Sequence, residues 1–249
     1  MLVLINLDSA VERRQAMARQ LDAFGLTFER VGVDLRCVRP SEVEAQIQAG
    51  FPGLRFDRKA LSNAEIGCWL SHLTAWQLLL RRPGLATCTV IEDDLILLPD
   101  FADAIAAMSD GAGFDQRFDL VYLGTSSRNV SQRRRTEIKR FAVHEPVGLI
   151  LNTWGYCVTR PYVARFFATA RHCIRLPIDH FLGGRGGRAR PRIGVLQPAV
   201  VTEDPVLGAA SQIGPYTRRL DRSRLFDKMR RRLLASPVSE FYYSLYRYF

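Results

Sequence analysis

Thr87-Cys-Thr-Val-Ile-Glu-Asp-Asp94 is a β-branched, apolar run that ends in three adjacent carboxylates. A run of this length and composition predicts a buried strand over residues 87–92. On its amino-terminal side, the spacing Ser62-x-x-Glu65 predicts the start of a long helix, which Pro83-Gly84 ends. On its carboxyl-terminal side, residues 99–108 have a helical pattern. The strand is therefore expected to lie between two helices, the arrangement of α/β proteins.

The same alternation of strands and helices extends in both directions. Helices are predicted to begin at the capping-box spacings Ser9-x-x-Glu12 and Ser41-x-x-Glu44 and at Pro161. Residues 126–140, which are polar and contain three consecutive arginines, are predicted to be a loop. Strands that alternate with helices form a mostly parallel sheet covered on both faces, so a single Rossmann-like α/β domain is expected. Short apolar and β-branched runs predict the other strands, at residues 2–7, 27–33, 118–123, 148–158 and 193–201.

The composition limits the class of protein. The chain has 249 residues, of which 47% are hydrophobic, enough to bury a substantial core and to exclude fibrous and disordered classes. No apolar run reaches the about 20 residues that cross a bilayer, and residues 1–8 lack the basic flank of a signal peptide, so a cytoplasmic protein is expected. The five cysteines are an odd number without a Cys-x-x-Cys spacing, which argues against a disulfide framework or a zinc site.

Positive charge is concentrated near the end of the sequence. The net charge is +10, and residues 218–232 alone hold eight Lys and Arg against two Asp, a local +6. Six of the last nine residues are aromatic. A cationic helix followed by aromatic residues favours contact with an anionic membrane surface, and packing on the domain is the alternative. Residues 1–217 are therefore predicted to be the folded domain, and residues 218–249 a basic, aromatic tail.

Glu92, Asp93 and Asp94 are the strongest chemical signal. They follow a predicted central strand, and open α/β sheets bind ligands at the carboxyl ends of their strands. Adjacent carboxylates repel one another unless a cation neutralises them, and oxygen ligands suit Mg²⁺ or Mn²⁺, which phosphates often share. The alternative is that the acids are solvated or cap the next helix.

The predicted helix before this strand carries a second unusual face. Glu65, Trp69, His72 and Trp76 lie on one side of it, apart from its apolar stripe. Each has a structural alternative. Glu65 can complete a capping box, His72 can be a core histidine, and the tryptophans can be packing residues.

Seven motifs follow one another along residues 2–213. They are Ile5-Asn-Leu-Asp8 with Arg13-Arg14, Leu61-Ser-x-x-Glu65-Ile-Gly67-Cys-x-Leu-Ser71-His72-x-x-Ala-Trp76, Ile91-Glu-Asp-Asp94, Tyr122-Leu-Gly124, Trp154-Gly-Tyr156, Pro177-Ile-Asp179-His180 and Ser211-Gln-Ile213. Together they resemble glycosyltransferase family 25, the bacterial lipooligosaccharide glycosyltransferases related to collagen galactosyltransferases. The resemblance implies an A-type glycosyltransferase fold with a mixed sheet, a UDP-hexose donor, typically UDP-galactose, and Mn²⁺ or Mg²⁺ as the metal.

The resemblance also implies roles for individual residues. Glu92, Asp93 and Asp94 take the place of the metal-binding Asp-x-Asp motif of such folds. Trp154 and Tyr156 are expected to contact the acceptor. For the two arginines at the start of the first helix, a solvated helix face is the alternative. Contacts with the sugar-nucleotide donor are expected from Asn6, Asp8, Arg13, Arg14, Glu65, Ser71, His72 and Glu92.

Direct inversion at the sugar carbon requires one base that accepts a proton from the acceptor hydroxyl. Asp179 is the first candidate for this catalytic residue. Glu203 and Asp204, which follow the last predicted strand, are the second. The alternative for Asp179 is a role in closing a turn after Pro177.

The predicted function is transfer of a hexose, galactose first, from a UDP-sugar to a lipopolysaccharide or lipooligosaccharide at the cytoplasmic face of the inner membrane. A nucleotidyltransferase is the alternative enzyme, but it would need a glycine-rich phosphate loop, and residues 6–10 contain no glycine. A nucleic-acid-binding protein would explain the net charge. However, the positive charge lies mostly in the tail and the central motif is acidic, so nucleic acid is not an expected partner.

Overall fold

The structure is a computed structural model, described here for residues 1–109, 114, 117–125, 130–150, 152–169, 173–185 and 190–207. The predictions for the tail at 218–249 and for the motif at 211–213 lie outside these residues. The helices are α1 (Val11–Ala23), α2 (Pro40–Gly50), α3 (Asn63–Leu80), α4 (Phe101–Met108), α5 (Arg160–Thr169) and α6 (Ile178–His180), which continues into a π-helical turn (Phe181–Arg185). The strands are β1 (Leu2–Ile5), β2 (Glu29–Val31), β3 (Arg55–Phe56), β4 (Thr87–Glu92), β5 (Leu95–Leu97), β6 (Leu120–Tyr122), β7 (Val130–Ile138), β8 (Phe141–Pro146), β9 (Gly155–Thr159), β10 (Cys173–Ile174), β11 (Ile193–Gln197) and β12 (Val201–Glu203).

Within the described residues, one sheet has eight strands in the order β2-β1-β4-β9-β6-β11-β8-β7. β8 and β9 run antiparallel to both of their neighbours, so the other six strands point the same way. The predicted α/β fold with a mixed, mostly parallel sheet is confirmed. Two smaller sheets pair β3 with β10 and β5 with β12.

β9 lies between β4 and β6 and runs in the opposite direction to both. Its first residue, Gly155, pairs with Ile91 near the carboxyl end of β4, and the backbone N–H of Glu92 donates to the carbonyl of Trp154 at 3.0 Å. The antiparallel strand therefore brings Thr153 and Trp154 to the edge at which the parallel strands end. The alternation of elements did not predict this reversal, because hydrophobic periodicity carries no information on strand direction.

Helices cover both faces of the sheet. Residues of α2, α3 and α5 form one hydrophobic cluster, and residues of α1 and α4 form the other. Along β4, Val90 belongs to the first cluster and Ile91 to the second, as expected when successive side chains point to opposite faces. This alternation directs Glu92 towards α3 and Asp93 towards α1.

Both ends of α3 are closed by side chains. The hydroxyl of Ser62 accepts from the Glu65 N–H at 3.2 Å, and the Glu65 carboxylate accepts from the Ser62 N–H at 2.7 Å, so the predicted capping box is confirmed. At the other end, the guanidinium of Arg160 donates to the carbonyl of Leu79 at 2.6 Å and to the carbonyls of Leu80, Arg82 and Leu85 in and after the last turn. The last carbonyls of a helix have no N–H groups further along the helix to pair with, and Arg160 adds donors to them.

Gly67 lets α3 approach the end of β2 closely. A Cβ atom at Gly67 would lie 2.6 Å from the carbonyl oxygen of Val33, far inside van der Waals contact. One turn later, the hydroxyl of Ser71 accepts from the Val33 N–H at 2.9 Å and donates to the Gly67 carbonyl at 2.9 Å. The Gly67–Ser71 part of the motif therefore fastens α3 to the segment after β2.

Three local predictions are wrong. α1 begins after Ala10 without a side-chain cap, because the Ser9 hydroxyl accepts from Arg36 instead. α2 begins after Arg39, since Pro40 favours the first helical position. Residues 130–138, predicted as a loop, form β7, because the antiparallel ladder to β8 is made by backbone groups and tolerates polar side chains.

Asp119 directly precedes β6 and joins the amino-terminal end of this strand to Arg192 and Arg165. Its buried carboxylate accepts from the backbone N–H of Arg192 at 2.8 Å, from the Arg192 guanidinium at 2.9 and 3.0 Å, and from Arg165 at 3.0 Å. Burial alone would raise the pKa of Asp119, but these hydrogen bonds and charges hold it below its ordinary value.

Among the helices that the structure describes, none combines the length and the apolar character needed to span a bilayer.

Candidate active site

Four segments that are distant in sequence meet at one edge of the structure. Asn6 follows β1, and Ile5 pairs with Glu92 at the end of β4. Thr153 precedes β9, and the backbone N–H of Asp204, just after β12, donates to the carbonyl of Asp94 at 2.9 Å. This is the edge at which parallel α/β sheets bind ligands.

Asp93 is buried on the α1 side of the sheet, where Asn6 and Arg13 donate hydrogen bonds to its carboxylate. Asn6 Nδ2 donates to Asp93 Oδ2 at 2.7 Å and to the Ala10 carbonyl at 3.0 Å, and Arg13 Nη1 donates to Asp93 Oδ1 at 2.9 Å. Arg13 also donates to the carbonyl of Leu207 at 2.5 Å. Burial raises the pKa of Asp93 despite the hydrogen bonds from Asn6 and Arg13. Asn6 and Arg13 thus hold Asp93 in place, while their predicted donor contacts and the predicted metal contact of Asp93 stay predictions.

Asp94 has an oxygen without a partner. Among the described residues, its buried Oδ1 has no hydrogen-bond partner, while Oδ2 lies 3.4 Å from Arg13 Nη1. Burial, followed by the charge of Glu92, raises the pKa of Asp94 to about 7. Glu203 is close enough to contribute to the same shift. A buried carboxylate oxygen without a donor is costly, so this group is poised to accept a cation or a proton.

Glu92 points to the α3 side of the sheet. Its Oε1 accepts a hydrogen bond from the Thr153 hydroxyl and lies 3.6 Å from His72 Nε2. Burial acts to raise the pKa of Glu92, but the contacts with His72 and Thr153 hold it below its ordinary value. The side chain is 25% exposed, so a charged carboxylate remains open to solvent and to a ligand.

His72 and Tyr156 are fully buried behind Glu92. His72 Nδ1 lies 2.8 Å from the Tyr156 hydroxyl, and Trp76 Nε1 donates to the same hydroxyl at 3.0 Å. Burial places these two side chains in contact with one another, and His72 faces Glu92. The contacts predicted for Tyr156 with an acceptor and for His72 with the donor stay predictions.

Glu65 and Ser71 serve the local structure of α3. Glu65 closes the capping box, and the Ser71 hydroxyl is buried between Val33 and Gly67. Their predicted donor contacts stay predictions. In both cases the motif fixes how α3 meets the sheet, which in turn places His72.

Three predicted contact residues lie near the edge without a defined role. Asp8 is exposed and pairs with Arg30 at 2.6 Å, Arg14 is half-buried on α1, and the half-buried Trp154 packs on the cluster formed by α1 and α4. Their donor and acceptor contacts stay predictions. Sequence reasoning missed Thr153, although it directly precedes the motif beginning at Trp154.

Asp179, in α6, is the candidate base with an available carboxylate. Its side chain is 29% exposed, Oδ1 accepts from the His180 N–H at 2.8 Å, and Oδ2 lies 4.0 Å from His180 Nε2. Burial raises the pKa of Asp179, and the charge of Glu92 adds to the effect, so the two carboxylates share one region. Glu203 is exposed, whereas Asp204 Oδ1 accepts from two backbone N–H groups of the following turn.

A divalent cation fits Glu92 and Asp94 better than it fits the whole triplet. Within the described ranges, no three Asp, Glu, His or Cys side chains converge on one ion position. Cations such as Mg²⁺ often take only one or two carboxylates and complete their coordination with phosphate oxygens and water. The unpartnered Oδ1 of Asp94 and the open carboxylate of Glu92 suit such a site.

The chain is similar to known proteins over most of its length. The model of "Glycosyltransferase family 25 (LPS biosynthesis protein)" matches residues 1–182. A glycosyltransferase 25 family member of Drosophila melanogaster is 27% identical over 183 residues, which cover 72% of this chain and 29% of that protein. Procollagen galactosyltransferase 1 of Danio rerio is 28% identical over 185 residues, with coverages of 72% and 30%. The match thus spans less than one third of the length of these relatives.

One solved structure is a glycosyltransferase involved in the glycosylation of the major capsid of PBCV-1. It aligns with a TM-score of 0.32 and 10% identity, over 67% of this chain and 64% of that chain. The family model, by contrast, covers well over half of the sequence and includes the motifs around Glu65, Glu92 and Asp179. The chain belongs to glycosyltransferase family 25.

Proposed function

We propose that this chain is a glycosyltransferase that binds a UDP-sugar, UDP-galactose first, with a divalent cation and transfers the hexose to a glycan. One observation carries the proposal. In a member of family 25, Glu92 and Asp94 bring two partly exposed carboxylates, one with an unpartnered oxygen, to the carboxyl edge of the sheet. The name of a relative, procollagen galactosyltransferase 1, supports galactose as the first sugar to test.

Glu92 and Asp94 would hold the cation, together with oxygens of the diphosphate. When bound, Mn²⁺ or Mg²⁺ would neutralise the charge that develops on the departing diphosphate. The hydrogen bonds that Asn6 and Arg13 donate to Asp93 hold the β1–α1 turn in place beside these carboxylates. The chain itself thus supplies two ligating groups on a rigid support.

Asp179 would act as the base. The acceptor hydroxyl oxygen forms a bond to the anomeric carbon, the bond from that carbon to the diphosphate oxygen breaks, and the hydroxyl proton moves to the Asp179 carboxylate. Burial, with help from Glu92, raises the pKa of Asp179, which makes it a stronger base than an exposed aspartate. Glu203 is the alternative base, because the Asp204 carboxylate is occupied by its own turn.

A donor panel tests this proposal. The purified chain is incubated with UDP-galactose, UDP-glucose, UDP-N-acetylglucosamine and GDP-mannose, each with Mn²⁺ or with a chelator, and the released nucleotide is measured. The expected result is Mn²⁺-dependent release of UDP from UDP-galactose. Release from GDP-mannose alone, or release that the chelator does not change, would contradict the proposal.

The acceptor is proposed to be a lipopolysaccharide or lipooligosaccharide presented at the cytoplasmic membrane surface. The basic, aromatic residues 218–249 support this, because a peripheral enzyme meets a lipid-linked acceptor at high effective concentration. A chain that ends at residue 217 should lose binding to anionic vesicles and transfer to a lipid-linked acceptor. It should keep transfer to a soluble oligosaccharide. Loss of UDP binding in the shortened chain would show instead that the tail is part of the domain.

A further inference from the structure

A chain of buried polar contacts runs from α3 to Glu92. Trp76 Nε1 donates to the Tyr156 hydroxyl at 3.0 Å, and that hydroxyl lies 2.8 Å from His72 Nδ1. The other ring nitrogen, His72 Nε2, is buried and has no hydrogen-bond partner among the described residues; it lies 3.6 Å from Glu92 Oε1, beyond hydrogen-bond distance but within that of an electrostatic contact. Trp76, Tyr156 and His72 are all fully buried.

The partners of each group assign the protons. An indole N–H only donates, so the Tyr156 oxygen accepts from Trp76 and its own proton is available for His72 Nδ1. With Nδ1 as the acceptor, a neutral ring at this position has its proton on Nε2. The carboxylate of Glu92 can only accept a hydrogen bond, so this end of the series of contacts also favours the tautomer with the proton on Nε2.

The rings that make this chain are held in place by packing. The rings of His72 and Tyr156 stack with centroids 5.7 Å apart, and Trp76 packs edge-on against Tyr162 and Phe166. Buried aromatic side chains in such contacts have little rotational freedom. The N–H of His72 therefore has a fixed direction.

The two oxygens of Glu92 have different surroundings. Oε1 accepts from the Thr153 hydroxyl and faces the N–H of His72. Within the described part of the chain, Oε2 has no donor, and the side chain remains 25% exposed. One oxygen is therefore committed to the protein, and the other is open to a ligand.

We propose that Trp76, Tyr156 and His72 form a positioning relay that holds Glu92 through Oε1, so that Oε2 alone is presented to the sugar nucleotide and its cation. None of the three touches a ligand, and each acts through Glu92. The claim that Oε2 is presented to a ligand rests on the proposed function. The relay itself is independent of that function, because it consists only of contacts between residues of this protein.

The tautomer of His72 tests the relay without any ligand. Long-range proton–nitrogen correlation spectra distinguish the two neutral tautomers of histidine, and the chain has only four histidines. The signals of His72 are identified by their loss in His72→Gln. The expected result is protonation on Nε2 in the wild type and loss of this preference in Tyr156→Phe. Protonation on Nδ1 in the wild type would overturn the proposal.

Nucleotide binding tests the consequence at Glu92. Titration calorimetry with UDP, with and without Mn²⁺, is compared for the wild type, Tyr156→Phe and the matched control Tyr162→Phe, a buried tyrosine outside the relay. Groups that orient a metal ligand typically contribute about 10- to 100-fold to metal affinity. Tyr156→Phe should therefore weaken Mn²⁺-dependent UDP binding by about this factor. It should leave Mn²⁺-independent binding unchanged, and Tyr162→Phe should change neither.

Two further comparisons separate positioning from a general structural defect. In the Glu92→Gln background, Tyr156→Phe should have no additional effect on Mn²⁺-dependent UDP binding, because the relay acts only through this carboxylate. His72→Gln, which can place an N–H near the position of Nε2, should retain more affinity than His72→Leu. Equal losses in the presence and absence of Mn²⁺, or additive effects of Tyr156→Phe and Glu92→Gln, would overturn the relay. A wild type that binds no UDP would instead refute the proposed function, while the tautomer still tests the relay.

Discussion

Arg13 Nη1 lies 2.9 Å from Asp93 Oδ1, on the α1 side of the sheet, while Glu92 faces α3 on the other side. This ion pair divides the acidic triplet into two kinds of carboxylate. Asp93 pairs with the Arg13 guanidinium, accepts a hydrogen bond from the Asn6 amide and stabilises the β1–α1 turn. Glu92 and Asp94 keep oxygens available for a ligand. Strand alternation accounts for the opposite directions of Glu92 and Asp93, whereas Asp94 lies in the turn after β4 and reaches Arg13 with one oxygen only.

Loss of the Arg13 charge should destabilise the fold. Arg13→Met leaves Asp93 buried without its cation, and breaking a buried ion pair typically costs about 3–5 kcal/mol. Urea unfolding at pH 7 measures the change. Arg13→Met with Asp93→Asn should recover part of the loss, and Arg14→Met, on the next residue of α1, should cost little. A single variant as stable as the wild type would show that the pair contributes nothing.

Arg160 should stabilise the carboxyl end of α3. Arg160→Met keeps much of the side-chain length but removes the donors to the carbonyls of Leu80 and Leu85. Partly buried carbonyls left without partners cost about 1–3 kcal/mol, so a lower thermal midpoint is expected. Arg160→Lys has fewer donors than the wild type, so its thermal midpoint should lie between those of the wild type and Arg160→Met. If Arg160→Met unfolds at the wild-type temperature, these hydrogen bonds are not needed to close α3.

Asp119 should make stability depend on acid pH. Its pKa is held below the ordinary value in the folded chain, so its contribution is complete above about pH 4 and is lost as the pH falls through the folded-state value. Thermal unfolding of the wild type and Asp119→Asn between pH 7 and pH 2.5 measures this. The difference in thermal midpoint between the wild type and Asp119→Asn should be constant near neutral pH and should become smaller below about pH 4. A difference that becomes larger in acid would contradict the assignment.

Asp179→Asn should impair chemistry and spare donor binding. The amide cannot accept the hydroxyl proton, and removal of a general base typically lowers turnover about 10²- to 10⁴-fold. Steady-state kinetics with UDP-galactose and titration of UDP separate the two effects. Asp204→Asn is the matched control and should retain turnover, because its carboxylate caps a turn. An inactive Glu203→Gln beside an active Asp179→Asn would move the base to Glu203.

The periodicity of the sequence predicted the α/β class, the capping box at Ser62 and the position of the acidic residues at a strand end. It could not predict the reversed direction of β9, which brings Thr153 to Glu92. Nor could it distinguish a ligand contact from a structural one at Asn6, Arg13, Ser71 and Tyr156. That distinction depends on which side chains meet across the sheet, and contacts between distant segments leave no local pattern.

The most direct test of the cation-dependent nucleotide site is titration of UDP into the wild type and Asp94→Ala, each with Mn²⁺ and with a chelator. Tight binding is expected only for the wild type with Mn²⁺, because Asp94 Oδ1 is a buried carboxylate oxygen that has no partner among the described residues. Asp94→Ala should bind UDP weakly in both conditions and should remain folded. Equal UDP affinity in both proteins, independent of Mn²⁺, would contradict the account.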